Sequence, residues 1–198
     1  MRIYDTIFYG VINSMKNTEK ILVISDIHGS LKGALLMEEA ASKHGAGMIL
    51  CLGDVLYHGP RNDLPDDYAP KKVIEIMNRN AEDIIAVRGN CEAEVDQMVL
   101  SFPCMADSNT LYLFSHKVIM SHGHIYGPDH LPLLQKGDVF LYGHTHLPAA
   151  ETTDGILIGN PGSASLPKGG HPRSYGILDA SGFTVYTADH SEYMHADF

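Results

Sequence analysis

Seven side chains able to ligate a divalent ion stand directly after short apolar runs: Asp26 and His28 after residues 21–25, Asp54 after 48–52, Asn90 after 84–87, His122 after 117–121, and His144 with His146 after 139–142. Carboxylate oxygen, amide oxygen and imidazole nitrogen together suit borderline or hard divalent ions such as manganese, iron, zinc or cobalt. The absence of thiolates argues against a closed structural zinc site. If one carboxylate bridges, the seven residues give each of two ions four protein contacts and leave positions open for water and substrate. In extended chain, residues two apart point to the same side, so Asp26 and His28 are expected to face one ion, and His144 and His146 likewise. Gly29, Gly53, Gly89, Gly123 and Gly143 flank the ligands and allow tight turns and close approach of backbone to an ion or a phosphate.

Taken singly, these residues say little. The chain has twelve histidines, and any one alone is more often a surface or hydrogen-bonded residue than a ligand. His44, His116, His130, His171, His190 and His195 stand outside the pattern and read as ordinary. Asp26 or Asp54 alone would pass for a helix cap or turn residue, since Asp is common after a strand. Seven ligand-type residues at successive strand ends are what make coincidence a poor account.

The elements that must position them follow from periodicity. Residues 21–25 are apolar and β-branched, bounded by Asp-Ile-His-Gly, and read as a buried strand ending in a loop. A helix should follow, with Ser30 as N-cap, Leu31, Ala34 and Leu35 at helical spacing, and His44-Gly45 closing it. Residues 48–52 form the next buried strand. Pro70 suits the first turn of a second helix whose inner face carries Val73, Ile76 and Met77. Residues 84–87 repeat the strand. Three strand, loop, helix units argue for a mostly parallel sheet with functional loops outside its carboxyl ends. Beyond about residue 105, closely spaced strands are expected at 110–115, 117–121, 139–142, 149–153, 156–158, 175–179 and 183–186, with hairpin signals at 153–155 and 180–182, giving a largely antiparallel second half with its own sheet. The Pro- and Asp-rich segment 57–67 reads either as a solvated loop or as a lid over the site.

Composition narrows the function classes. One domain of 198 residues with 44% hydrophobic content can bury a core without staples. Acidic residues outnumber basic ones 24 to 14, for a net charge of −10, which disfavours stable nucleic-acid binding. Cys51, Cys91 and Cys104 are an odd number without CxxC spacing, pointing to a reducing, cytoplasmic setting. Cys51 lies inside an apolar strand and reads as buried. The first twenty residues hold no apolar run long enough for a secretory segment or a membrane span. Residues 1–14 read equally as part of the fold or as an extension ahead of Met15, with 15–198 as a single domain. Exposed apolar strand edges make a homodimer or homotetramer reasonable.

In type, spacing and order, Asp26-x-His28, Gly53-Asp54, Gly89-Asn90, His122 and Gly143-His144-x-His146 resemble the calcineurin-like metallophosphoesterases. The stretches 160–163 (Asn-Pro-Gly-Ser) and 172–179 resemble the small bacterial YfcE-type phosphodiesterases of that superfamily, so the resemblance runs from about 20 to 187. It implies an α/β fold, a four-layer α/β/β/α sandwich of two mixed sheets flanked by helices, with a dimetal site at the sheets' edge. It also implies that Asp26, His28, Asp54 and His146 hold one ion and Asp54, Asn90, His122 and His144 the second, with Asp54 bridging. A metal-bound hydroxide would then attack phosphorus in a small phosphodiester. Manganese is the first expectation for both ions, with zinc, iron, nickel, cobalt or magnesium as alternatives. The alternative function is a metal-binding interaction scaffold of the retromer-subunit type, for which degraded ligands would be expected. One position departs from the family: the third motif usually reads Gly-Asn-His, and here Cys91 replaces the histidine. A thiol is a weaker proton donor than imidazolium, so esters with good leaving groups should be favoured. Cys91 reads alternatively as a small space-filler. His124 and His58 are other candidate proton donors, and Arg88 and Arg173 candidate phosphate contacts.

Overall fold

In a computed structural model that describes residues 19–198, two mixed sheets stack face to face. The possible extension at 1–14 lies outside the described residues. The first strand, β1 (Lys20–Ile24), is apolar throughout because both its faces are covered: Ile21 and Val23 point toward the second sheet, and Leu22 and Ile24 toward the helices. The first helix, α1 (Leu31–His44), starts where Ser30 Oγ accepts the Gly33 N–H, and ends at Gly45 in left-handed backbone. Its buried face is Gly33, Ala34, Leu36, Met37 and Ala40, so Leu35, expected inside, is exposed. β2 (Met48–Cys51) lies parallel to β1. α2 (Pro70–Arg79) buries Val73, Ile76 and Met77 as expected, and β3 (Ile84–Ala86) lies parallel to β2. A short helix the periodicity does not announce, α3 (Glu94–Val99), begins where Asp96 accepts the Ala93 N–H at 2.7 Å.

The second sheet, in the order β4-β5-β6-β8-β7, is built from β4 (Ser108–Leu113), β5 (His116–Ser121), β6 (Val139–Leu141), β7 (Ala149–Thr153) and β8 (Ile156–Asn160). Most pairings in the second half are antiparallel, as expected, but β6 runs parallel to both β5 and β8, which makes this sheet mixed. The last strands, β9 (Ser174–Asp179), β10 (Gly182–Thr187) and β11 (Glu192–Asp197), leave that sheet and extend the first one antiparallel to β1. Local pattern says that a segment is a strand but not which sheet edge it completes. The crossover from β8 to β9 therefore carries residues 161–173 past the ends of both sheets.

Core packing follows the layers. Val23, Leu50, Val118, Met120, Leu141 and Phe183 pack between the sheets, while Ile24, Met37, Val73 and Met77 pack between the first sheet and the helices. The outer face of the second sheet (Ile119, Phe140, Tyr142 and Ile158) is covered by Tyr126 and Leu134 from irregular chain rather than by a helix. Residues 123–137 contain three glycines and two prolines, which interrupt any helical run there.

Candidate metal centre

Six of the seven sequence-selected ligands converge at the carboxyl ends of β1, β2, β5 and β6, tied together by backbone bonds between loops. Asp26 N donates to Gly53 O (3.1 Å), His28 N to Asp54 O (2.9 Å) and Gly143 N to His122 O (2.7 Å). Ser163 and Ser165, both on the β8–β9 crossover, each donate a hydroxyl to Asp26 O at 2.8 Å. His122 Nδ1 reaches Leu52 O at 2.7 Å, linking a loop of the second sheet to the first.

The ligand atoms sit at distances a shared ion would set. His146 Nε2 lies 3.2 Å from Asp26 Oδ1 and 3.2 Å from His28 Nε2. Asp54 Oδ2 lies 3.6 Å from His28 Nε2 and 3.4 Å from His122 Nε2, which is 3.3 Å from His144 Nδ1. Ligands bonded at about 2.0–2.2 Å at tetrahedral or octahedral angles stand roughly 3.0–3.5 Å apart. Asp26 Oδ1 is buried with no hydrogen-bond partner, although its other oxygen accepts Ser25 Oγ and His144 N. A buried carboxylate oxygen without a donor is costly unless a cation meets it. His28, His122 and His146 each direct Nδ1 at a backbone carbonyl (Tyr57, Leu52 and Leu166), which leaves Nε2 facing the cluster. The donor set and spacing therefore suit a divalent ion.

Backbone strain is concentrated here. Asp26, His28, Asp54, His144 and His146 all have φ between 49° and 66°, so the expected convergence by strand alternation is replaced by convergence through left-handed turns. Each such non-glycine residue costs about 1 kcal/mol or more and persists only where the surroundings over-determine it. Gly89 and Gly143 are required for a different reason. A Cβ on Gly89 would meet Asp54 Oδ1 at 2.0 Å and Asp54 N at 2.6 Å, and one on Gly143 would meet Ser25 Oγ at 2.0 Å.

Without metal, the charges satisfy one another. Burial alone would raise the Asp26 carboxyl, yet the adjacent imidazoles of His146 and His28 and the charge of His122 hold it well below the usual range. Asp54 is likewise lowered, against burial, chiefly by His122. His122 rises to about 9: burial opposes this, but the Asp54 bond and the charge of Asp26 prevail. His144 drops to about 4 because it is buried and faces the charge of His122.

The remaining candidates are placed differently. Asn90 is exposed on the same cavity as Asp54, His144 and His146, with Nδ2 at 3.2 Å from Cys91 Sγ. The Cys91 thiol lies beside His28 and Asp54, and burial and the Asp54 charge push its pKa up, so it stays protonated. The His124 ring stands 5.4 Å from His122 and is kept neutral by burial and by the charges of His122 and Arg88; its Nδ1 is buried without a partner. His58 packs between Tyr57 and Tyr68. Arg88 is committed to Asp107, with Nε at 3.0 Å, and Arg173 borders a separate cavity with Lys32 and Asp67. Segment 57–67 borders the site rather than lying free in solvent: Gly59–Asn62 line the cavity, and Asp67 accepts from Ser30 Oγ at 2.7 Å.

Glu92 is the residue the sequence reading misses. Its carboxylate accepts the N–H groups of Asp54 (2.9 Å), Val55 (2.7 Å) and Gly89 (2.5 Å), clamping the second and third ligand loops together. The only hint is an acid three residues after Gly89. Glu92→Gln, which leaves one carbonyl oxygen for three donors, is expected to weaken divalent-ion binding about 10- to 100-fold, measured by calorimetric titration. Affinity equal to wild type would show that the clamp does not position the ligands.

Residues 20–182 match the calcineurin-like phosphoesterase superfamily domain. The chain is 52% identical over 160 residues to Phosphodiesterase YfcE of Escherichia coli K12, covering 81% of this chain and 87% of that protein. The solved structure of Yfce, a phosphoesterase from E. coli, superposes with a TM-score of 0.86 at 49% identity, covering 88% of this chain and 97% of that one. Vacuolar Protein Sorting 29 from Cryptosporidium parvum shares the fold alone, with a TM-score of 0.58 at 19% identity over 85% of this chain and 89% of that one.

Proposed function

The chain belongs to the calcineurin-like phosphoesterase superfamily, and from that membership we propose that it is a phosphodiesterase, hydrolysing a small phosphodiester with two divalent ions held at the centre described above. The observation that carries the reading is the partnerless Asp26 Oδ1, buried beside His146 Nε2 in a cluster of acids and imidazoles. Asp26, His28, Asp54 and His146 would hold one ion and Asp54, Asn90, His122 and His144 the other, with Asp54 shared. When bound, such a pair supplies Lewis acidity that activates water and offsets charge on the phosphoryl oxygens. Manganese is the first candidate, while oxygen and imidazole donors also accept zinc, iron, nickel, cobalt or magnesium.

The chain's own groups hold and orient. Three carbonyls fix the His28, His122 and His146 tautomers, and Glu92 holds the loops of Asp54 and Asn90 together. Neither the raised thiol of Cys91 nor the neutral ring of His124 is a strong acid toward a leaving oxygen, so stable leaving groups such as p-nitrophenolate are favoured. A cytoplasmic setting is supported by three free cysteines, and among the described residues no helix is long and apolar enough to cross a membrane.

Metal-stripped protein given manganese, nickel, cobalt, zinc or magnesium in turn should hydrolyse bis-p-nitrophenyl phosphate with at least one of them. Silence with every metal would favour the scaffold reading. Cys91→Ala should keep turnover of that ester within about tenfold of wild type, since p-nitrophenolate needs no protonation. A loss comparable to that of a ligand variant would give Cys91 a direct part in the chemistry.

A further inference from the structure

We propose that Arg61 and Lys168 form a cationic clamp at the mouth of the metal centre that binds a second phosphate, so that the substrate is a phosphodiester carrying a further phosphoryl group on one ester arm. The inference rests on the phosphodiesterase reading and adds a substrate class to it. Both side chains border the cavity of about 280 Å³ that opens onto Asp54, His144 and His146, and Asp54 is the one carboxylate among the residues that line it. The molecule as a whole carries a charge of −10, which on average repels a polyanion. Two cations at this opening reverse that field locally.

Three basic side chains are neutralised by a carboxylate: Arg79 by Glu38, Arg88 by Asp107 and Lys117 by Asp138. Among the described residues, Arg61 and Lys168 have no ion-pair partner, and they are the two Lys or Arg side chains that border this cavity. Each nevertheless stands on backbone tied to the metal centre. Gly59, at φ 79°, packs so closely that a Cβ there would lie 3.0 Å from Cys91 Sγ. The turn that presents Arg61 is closed by Asn62 Nδ2 donating to His58 O at 2.8 Å. Lys168 N donates to His146 O at 3.3 Å. Two exposed cations on anchored loops are a poor arrangement for stability and a good one for ligand capture. A guanidinium fork and an ammonium on the rim of one cavity can both reach phosphate oxygens, and the scissile phosphate would already be matched at the metal centre. The cavity's size suits one extra phosphate and the few atoms connecting it rather than a polymer.

A matched pair of chromogenic esters isolates the claim: thymidine 5′-(p-nitrophenyl phosphate) and the same compound with a 3′-phosphate. Scissile bond and leaving group are identical, so only the second phosphate differs. The wild-type protein should favour the 3′-phosphorylated ester by about tenfold or more in kcat/KM, mostly through KM. That preference should shrink as salt rises from about 0.05 to about 0.5 M. The Arg61→Ala/Lys168→Ala double variant should bring the ratio close to one, and Arg61→Lys should retain part of it. A wild-type ratio near one, or a ratio the double variant leaves in place, overturns the clamp while leaving the phosphodiesterase reading intact. If neither ester is turned over while bis-p-nitrophenyl phosphate is, the clamp falls alone; if all three are inert with every metal, the phosphodiesterase reading falls and the clamp with it.

Discussion

Asp54→Ala is expected to lose bound metal and at least about a thousandfold of turnover, equivalent to about 4 kcal/mol of transition-state stabilisation. The size of the effect follows from how many groups converge on one carboxylate. Asp54 Oδ2 stands between His28 Nε2 at 3.6 Å and His122 Nε2 at 3.4 Å, and Oδ1 accepts the Cys91 N–H at 2.9 Å. Removing it takes away the group best placed to touch both ions and leaves two raised imidazoles without their shared counter-charge. Asp54→Asn is the discriminating control, because it keeps an acceptor for Cys91 N while losing the charge. Both variants should fall together in metal content per chain, read by mass spectrometry, and in bis-p-nitrophenyl phosphate turnover. An Asp54→Ala protein that keeps two ions and turns over within tenfold of wild type would refute the bridging role.

Metal removal should change both the level of stability and the way it responds to pH. An ion present at about a thousand times its Kd stabilises the folded chain by about 4 kcal/mol. For a chain of this size that is about 10 °C in Tm. The pH response comes from the histidines. In metal-free protein, His122 and His28 have pKa values raised above 6.5 by Asp54 and Asp26, so their contribution is complete below pH 6.5 and is lost as pH climbs toward about 9. His144 and His124, lowered by burial and the His122 charge, are neutral in folded and unfolded chain alike only above about pH 7.5, and add no slope there. Metal-free Tm should therefore fall between about pH 7.5 and 8.5. Loaded protein should show the opposite trend at limiting metal, because ions bind deprotonated imidazoles and displace the His122 proton. Differential scanning fluorimetry across that range tests both slopes, and parallel curves with and without metal would show that these residues are not the ion's ligands.

The chemistry was legible because the ligands follow strand signals that need no tertiary information. Apolar runs at 21–25 and 48–52 mark buried strands, so Asp26, His28 and Asp54 could be assigned to loops at one end of a parallel sheet, where the structure has them. Ser30 and Pro70 likewise announced their helices, since caps act within one turn. Strand β11 was invisible because it is an exposed edge with no apolar alternation, and α3 because six residues are too few for a period.

Sequence alone determined which atoms can bind ions and in what chain order they arrive, because donor chemistry belongs to the side chain and strand ends are local. Tertiary structure decided everything that depends on distant segments meeting. Left-handed turns rather than strand alternation aim Asp26, His28, Asp54, His144 and His146 inward. Glu92 holds a loop whose Asp54 and Val55 lie 38 and 37 residues away in the chain. Arg88 is spent on Asp107, while Arg61 and Lys168 are left at the cavity. A cation's role depends on which carboxylate folding places beside it, and no local pattern encodes that.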